Sequence, residues 1–198
     1  MNLIYLASSL ACGPAETTSS TSLPTIGLDT AEIGPVFVEP SEDGRSVLGL
    51  EPARYLGLWY EIATTPSQQQ AACAGTTAEY SLTADGVIGV DNRCRLGGLE
   101  GSLNQIKGTA RPIDDTFARL LVDFGFGFEA PYTVIELVDV GPTRPYEVSV
   151  VQGLGEQYWI LAREPKLDPT LADTVWDQLA RRGIDLDRLL MTEQTTNP

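Results

Sequence analysis

Cys94, set between Arg93 and Arg95, is the residue of this chain best placed to act as a nucleophile. A thiolate beside guanidinium groups has a lowered pKa, and the thiolate is the reactive form. The usual proton acceptor is missing. No histidine occurs in the 198 residues, which excludes a Ser-His or Cys-His pair and any typical zinc or haem site. The other cysteines are Cys12 and Cys73. A turn at Asp85-Gly86 sets Cys94 nearly opposite Thr77, and Cys73 reaches it only if the chain curls back. Cys73 and Cys94 are then either a disulfide, which removes the nucleophile, or two separate buried thiols. A bridge closing a loop of about twenty residues would constrain the unfolded chain by about 3 kcal/mol. Glu61 is the second residue of chemical interest, because strand alternation from Trp59 turns it inward. A carboxylate in an apolar interior has a raised pKa unless it is paired.

The elements that position these residues are short strands with turn punctuation. They run over about Leu58–Thr65, Thr77–Leu82, Val87–Arg95, Asn104–Arg111, Ala118–Phe124, Tyr132–Val138, Tyr146–Gln152 and Tyr158–Arg163. Eight consecutive antiparallel strands with tight turns predict an all-β fold, an up-and-down barrel. Its interior has room for side chains or one small ligand. A C-terminal helix follows. Asp168 is a fitting N-cap, Pro169 suits the first turn, and Gly183 suits the C-terminal cap. Leu171, Val175 and Leu179 give it one apolar face to pack outside the barrel. Leu189-Leu190-Met191-Thr192 has the pattern of a short last strand.

Composition narrows the function. The formal net charge is −14, with 13 Lys plus Arg against 27 Asp plus Glu, which argues against nucleic acid and against capture by anionic lipid. No stretch approaches the roughly 20 apolar residues that span a bilayer. Neither a metal nor a cofactor is implied.

Gly57-Leu58-Trp59 on the first strand and Arg163 on the last resemble the signature of the lipocalins. Tyr80-Ser81-Leu82, Asn92-Arg93-Cys94-Arg95, Asn104-Gln105-Ile106-Lys107-Gly108 and Trp159-Ile160-Leu161 extend the resemblance to the bacterial lipocalin and apolipoprotein D branch, over about residues 51–195. The family's Thr-Asp-Tyr becomes Pro142-Thr143-Arg144-Pro145-Tyr146, with only Tyr146 kept. The resemblance implies that Trp59 plugs the closed end of the barrel, that Arg163 packs across its indole, and that the interior is a calyx for small hydrophobic ligands such as fatty acids or lysophospholipids. Alternation assigns Glu61 and Ala63, then Ala78, Tyr80 and Leu82, then Ile88, Val90 and Asn92, to the inside. Leu120, Val122 and Phe124, then Tyr132 and Val134, then Tyr146 and Val148, complete the expected ligand-binding set. The rival readings are a barrel enzyme using Cys94, which the family precedent of a thiol-dependent isomerase allows, and a filled barrel that presents the Phe124–Phe128 segment to a protein partner.

Leu3–Gly13 looks like a bacterial lipoprotein signal, in which Cys12 becomes lipidated after cleavage. Residues 1–12 are read as that signal and 13–50 as a disordered tether, since Thr17–Ser22 is a polar tract and 24–50 stays rich in Pro, Gly and acids. The barrel domain is expected over 51–195. By resemblance to the sorting rules of enteric lipoproteins, Gly13 in place of Asp implies the outer membrane, with the protein facing the periplasm.

Overall fold

The computed structural model describes residues 34–68, 70–84 and 87–195. The readings for Cys12, for residues 1–33 and for the Asp85-Gly86 turn lie outside them. The strands in this part are β1 (Val36–Phe37), β2 (Gly57–Thr64), β3 (Cys73–Leu82), β4 (Ile88–Leu96), β5 (Ser102–Pro112), β6 (Arg119–Asp123), β7 (Glu129–Asp139), β8 (Val148–Gln152), β9 (Tyr158–Ala162) and β10 (Leu190–Met191). The helices are α1 (Pro52–Tyr55) and α2 (Pro169–Arg181). Each of β2 to β9 lies antiparallel to the next, and β9 pairs back onto β2. The sheet is thereby a closed eight-stranded barrel with β1 and β10 added at its flanks. α1 and the 140–147 connection mark one end, called closed; the 97–101, 124–128 and 153–157 loops mark the open end.

Two apolar cores lie on the two faces of the wall. The inner one contains Trp59, Ala78, Tyr80, Val90, Leu120, Val122, Val134, Leu137 and Leu161. The outer one lies beneath α2 and joins Ile62, Ile135, Val148, Val150, Ile160, Val175, Leu179 and Ile184. The helix follows its sequence signals. Asp168 accepts from the backbone N–H groups of Thr170 and Leu171, and Pro169 opens the first turn. At the other end Gly183 takes a φ of +77°, its N–H donates to Ala180 O, and Ile184 N–H donates to Leu179 O. That paired bonding is a Schellman cap, and Gly183 is the residue that reaches its left-handed conformation without strain. Val175 and Leu179 are fully buried, which stabilises the docking by about 1.5–3 kcal/mol for each side chain.

Several sequence expectations are corrected. The segment 34–50, read as tether, packs on the barrel: Val36 and Phe37 pair with Asp139 and Val138, Val47 N–H donates to Val134 O, and Val47 and Leu50 are buried in the inner core. Ala63 faces the outer core, because the register slips between Glu61 and Ala63; a bulge of one residue sends the following side chains to the other face. Leu82, expected inside, is the last residue of β3 and is exposed there. Val148, like Ala63, lies in the outer core. The strand starts at Val148, and Tyr146 precedes it in a turn, so the two do not share a strand face.

Candidate functional site

The closed end is built around Trp59, which is fully buried. Its indole N–H donates to Tyr55 O at 2.8 Å. The Arg163 guanidinium carbon lies 3.7 Å from the indole centroid. Its nitrogens donate to Tyr146 O at 3.0 Å, Leu58 O at 2.7 Å, Arg54 O at 2.9 Å and Tyr55 O at 3.1 Å. One cation therefore ties β2, β9, α1 and the 140–147 connection together. The cation–π contact contributes about 0.5–2 kcal/mol, and the bonds leave none of these carbonyls waiting. Gly57 has a φ of +97°, and it is this backbone that suits glycine, since a Cβ there would meet the Arg163 guanidinium at 3.5 Å, an ordinary van der Waals contact. Burial pushes the Arg163 pKa down. Tyr146 belongs to this seal. Its hydroxyl accepts from Glu51 N–H at 3.1 Å and its ring lies under Arg54 at 4.1 Å.

Above the seal is a cavity of about 150 Å³. Glu61, Ala78, Tyr80, Ile88, Val90, Asn92, Leu120, Val122, Phe124 and Tyr132 line it, all of them in the expected inward set. Val134, Tyr146 and Val148 do not line it. Val134 is packed in the inner core at the β6–β7 junction, and the other two lie in the seal and the outer core. Alternation did not reveal Leu50, Pro52, Tyr55 and Leu56, because they sit before the first predicted strand. Thr76 was missed because β3 starts four residues earlier than predicted. Gln70 was missed because nothing in its loop's composition shows that it folds back over the cavity. Trp159 and Leu161 were also missed, although alternation along the last strand carries the signal that finds them.

The cavity's polar atoms fall in two groups. Near the closed end, Tyr55 Oη lies 2.7 Å from Tyr132 Oη and 2.8 Å from Ser149 Oγ, and Tyr80 Oη lies 3.0 Å from Tyr132 Oη. These hydroxyls satisfy one another. Burial pushes Tyr55 up to about 12 and holds Tyr80 and Tyr132 well above the usual phenol value, so all three stay neutral. The second group surrounds Glu61, which is 4% exposed. It accepts from Thr192 Oγ1 at 2.6 Å and from Gln70 Nε2 at 3.2 Å, while Gln70 Oε1 accepts from Trp159 Nε1 at 3.2 Å. Burial raises the Glu61 pKa, and these two donors oppose the rise. No arginine stands among the described residues lining the cavity, so Glu61 has no internal cation as a partner there.

Cys73 and Cys94 are joined as a disulfide with Cα atoms 5.4 Å apart. No curling loop is needed. β3 continues to Cys73, and a bulge between Ala74 and Thr77 brings it level with β4. Cys94 in this state offers no thiolate, so the enzymatic reading loses its nucleophile. Phe124 lines the cavity, whereas Phe126 and Phe128 are 67% and 66% exposed at the open end, with ring centroids 6.5 Å apart.

Comparison with known proteins agrees with this geometry. A family model described as a lipocalin-like domain matches residues 50–194. The outer membrane lipoprotein Blc of Vibrio cholerae is 30% identical over 77% of this chain and 88% of its own. Apolipoprotein D of Macaca fascicularis is 34% identical over 75% of this chain and 79% of its own. Among solved structures, the cockroach allergen Per a 4 superposes with a TM-score of 0.60 and 23% identity, covering 79% of this chain and 96% of its own.

Proposed function

The chain belongs to the lipocalin family, and from that premise we propose that it takes up single-chain lipids, fatty acids and lysophospholipids among them, and carries them as a membrane-anchored lipoprotein of the cell envelope. Members of this family bind small hydrophobic ligands in a barrel calyx. The observation that carries the reading is the cavity itself: a closed wall whose inward face is mainly aliphatic and aromatic, with a few polar atoms gathered in two groups. Such a lining suits an acyl chain, with the polar atoms fixing the head.

The anchor rests on Cys12 and the small residue before it, and on the likeness to bacterial outer membrane lipoproteins. In this reading residues 1–12 are the signal, the following residues are the tether, and the protein faces the periplasm from the outer membrane. One acyl chain binds a bilayer marginally, so stable anchoring needs more than one.

Native mass spectrometry of the full chain from an expressing cell, followed by organic extraction, tests both parts. The expected result is a lipid at near one-to-one stoichiometry and an acylated Cys12 that Cys12→Ser loses. Val90→Trp places an indole inside the cavity and should lower uptake of an apolar fluorophore at least tenfold. A clean ligand-free mass, together with parental uptake in Val90→Trp, would overturn the carrying role.

A further inference from the structure

Deep in the cavity the tyrosine hydroxyls bond one another, so they ask nothing of a ligand. The polar corner is different. Thr76 Oγ1 and Asn92 Oδ1 are buried on the adjacent strands β3 and β4, belong to residues that line the same cavity as Glu61, and have no hydrogen-bond partner among the described residues. Thr76 is 8% exposed. A buried polar atom left unpaired is costly, and native structures hold few of them. The Glu61 carboxylate accepts one bond on each oxygen, from Thr192 and Gln70, and has lone pairs to spare. Gln70 is held in one orientation, since its oxygen accepts from the Trp159 indole N–H and its nitrogen donates to Glu61.

The corner is weighted towards acceptors: a carboxylate with spare lone pairs and an amide oxygen stand beside the Thr76 hydroxyl, and its donors are that hydroxyl and the neutral N–H groups of the Asn92 and Gln70 amides. Among the described residues no lysine or arginine lines the cavity. A carboxylate or phosphate head placed there would bring further acceptors and a second negative charge beside Glu61. It would give up its hydration with no cation to meet it. A hydroxyl head would donate to Asn92 or Glu61 and accept from Thr76, completing the unpaired atoms. Resting on the reading of the calyx as a single-chain lipid site, we infer that its polar corner ranks the lipids the calyx takes up, binding an uncharged head that donates hydrogen bonds, a fatty alcohol or a glycerol monoester, more tightly than the carboxylate of a fatty acid or the phosphate of a lysophospholipid of the same chain length.

Competition against bound N-phenylnaphthylamine tests this on the full chain near neutral pH. Three competitors share their chain and differ at the head: dodecanol donates, methyl laurate only accepts, and laurate is an anion. Dodecanol should displace the fluorophore at concentrations at least tenfold below methyl laurate and laurate. In Thr76→Val with Asn92→Leu, the preference for dodecanol over methyl laurate should fall towards one. Both changes remove unpaired buried polar atoms, so the variant should unfold at a higher temperature than the parent when free of ligand, which also shows that it folds. Equal displacement by dodecanol and methyl laurate, or an unchanged preference in the variant, would overturn the head-group assignment while leaving the lipid reading in place. Failure of the fluorophore to bind at all would overturn both.

Discussion

Glu61 shows how far a single residue can be read before the fold is known. Alternation from Trp59 turns it inward, and burial of a carboxylate raises its pKa above the usual 4.5. Its partners were not legible: Thr192 lies 131 positions away, and Gln70 comes from a loop that has no periodicity. The sign of its effect on stability follows. The folded state holds the Glu61 proton more tightly than the unfolded chain does, so stability falls as pH rises from about 4.5 through the raised folded value, and the loss is complete above it. Glu61→Gln keeps an acceptor for Thr192 and abolishes the penalty. Thermal unfolding should therefore show Glu61→Gln more stable than the parent near neutral pH, with the gap closing at pH values below the unfolded pKa. A variant less stable at neutral pH would mean that the bonds from Thr192 and Gln70 outweigh the burial.

At the scale of elements, strand existence was legible and strand phase was not. Each of the eight barrel strands has the expected neighbours, because turn residues and apolar alternation mark them. Phase failed where the backbone departs from simple pleating: at the β2 slip after Glu61, and at the turn where Tyr146 leads into β8. Composition carries no mark of either. α2 was fully legible because its caps and its apolar spacing are local signals. It packs on the outer core, and the calyx lies across the wall from it, so the two faces should respond separately to mutation. Leu179→Ala removes a fully buried side chain and should lower stability by about 2–5 kcal/mol. For a chain of this size, each kcal/mol corresponds to roughly 2–4 °C in Tm. Fluorophore affinity at a temperature where the variant remains folded should stay within about twofold of the parent. A large fall in affinity would show that the wall transmits strain from the outer core to the calyx.

The whole molecule closes its barrel with help from both flanks of the domain. β6 covers only the first half of β7, from Glu129 to Thr133, and the remaining half is met by the 36–47 segment through Val36, Phe37, Val38 and Val47. On the other side β3 covers β2 from Gly57 to Tyr60. Beyond that point β10 takes over, with Thr192 N–H donating to Ile62 O and the Gln194 amide donating to both Glu61 O and Thr76 O. The Pro, Gly and acid content of 24–50 hid this role, since the apolar residues that do the packing are few and widely spaced among polar ones. A chain shortened to start at residue 51 would lose Val47 and Leu50 from the inner core and leave backbone groups of β7 from Val134 to Asp139 without partners. The two lost side chains alone account for about 3–6 kcal/mol at most, and the bared strand edge invites pairing between copies. Against a chain starting at residue 34, the shorter form should unfold at lower urea concentration and aggregate more readily on heating. Equal midpoints would show that the segment adds nothing to the barrel, and the domain would then begin near Leu50, as its composition alone predicts.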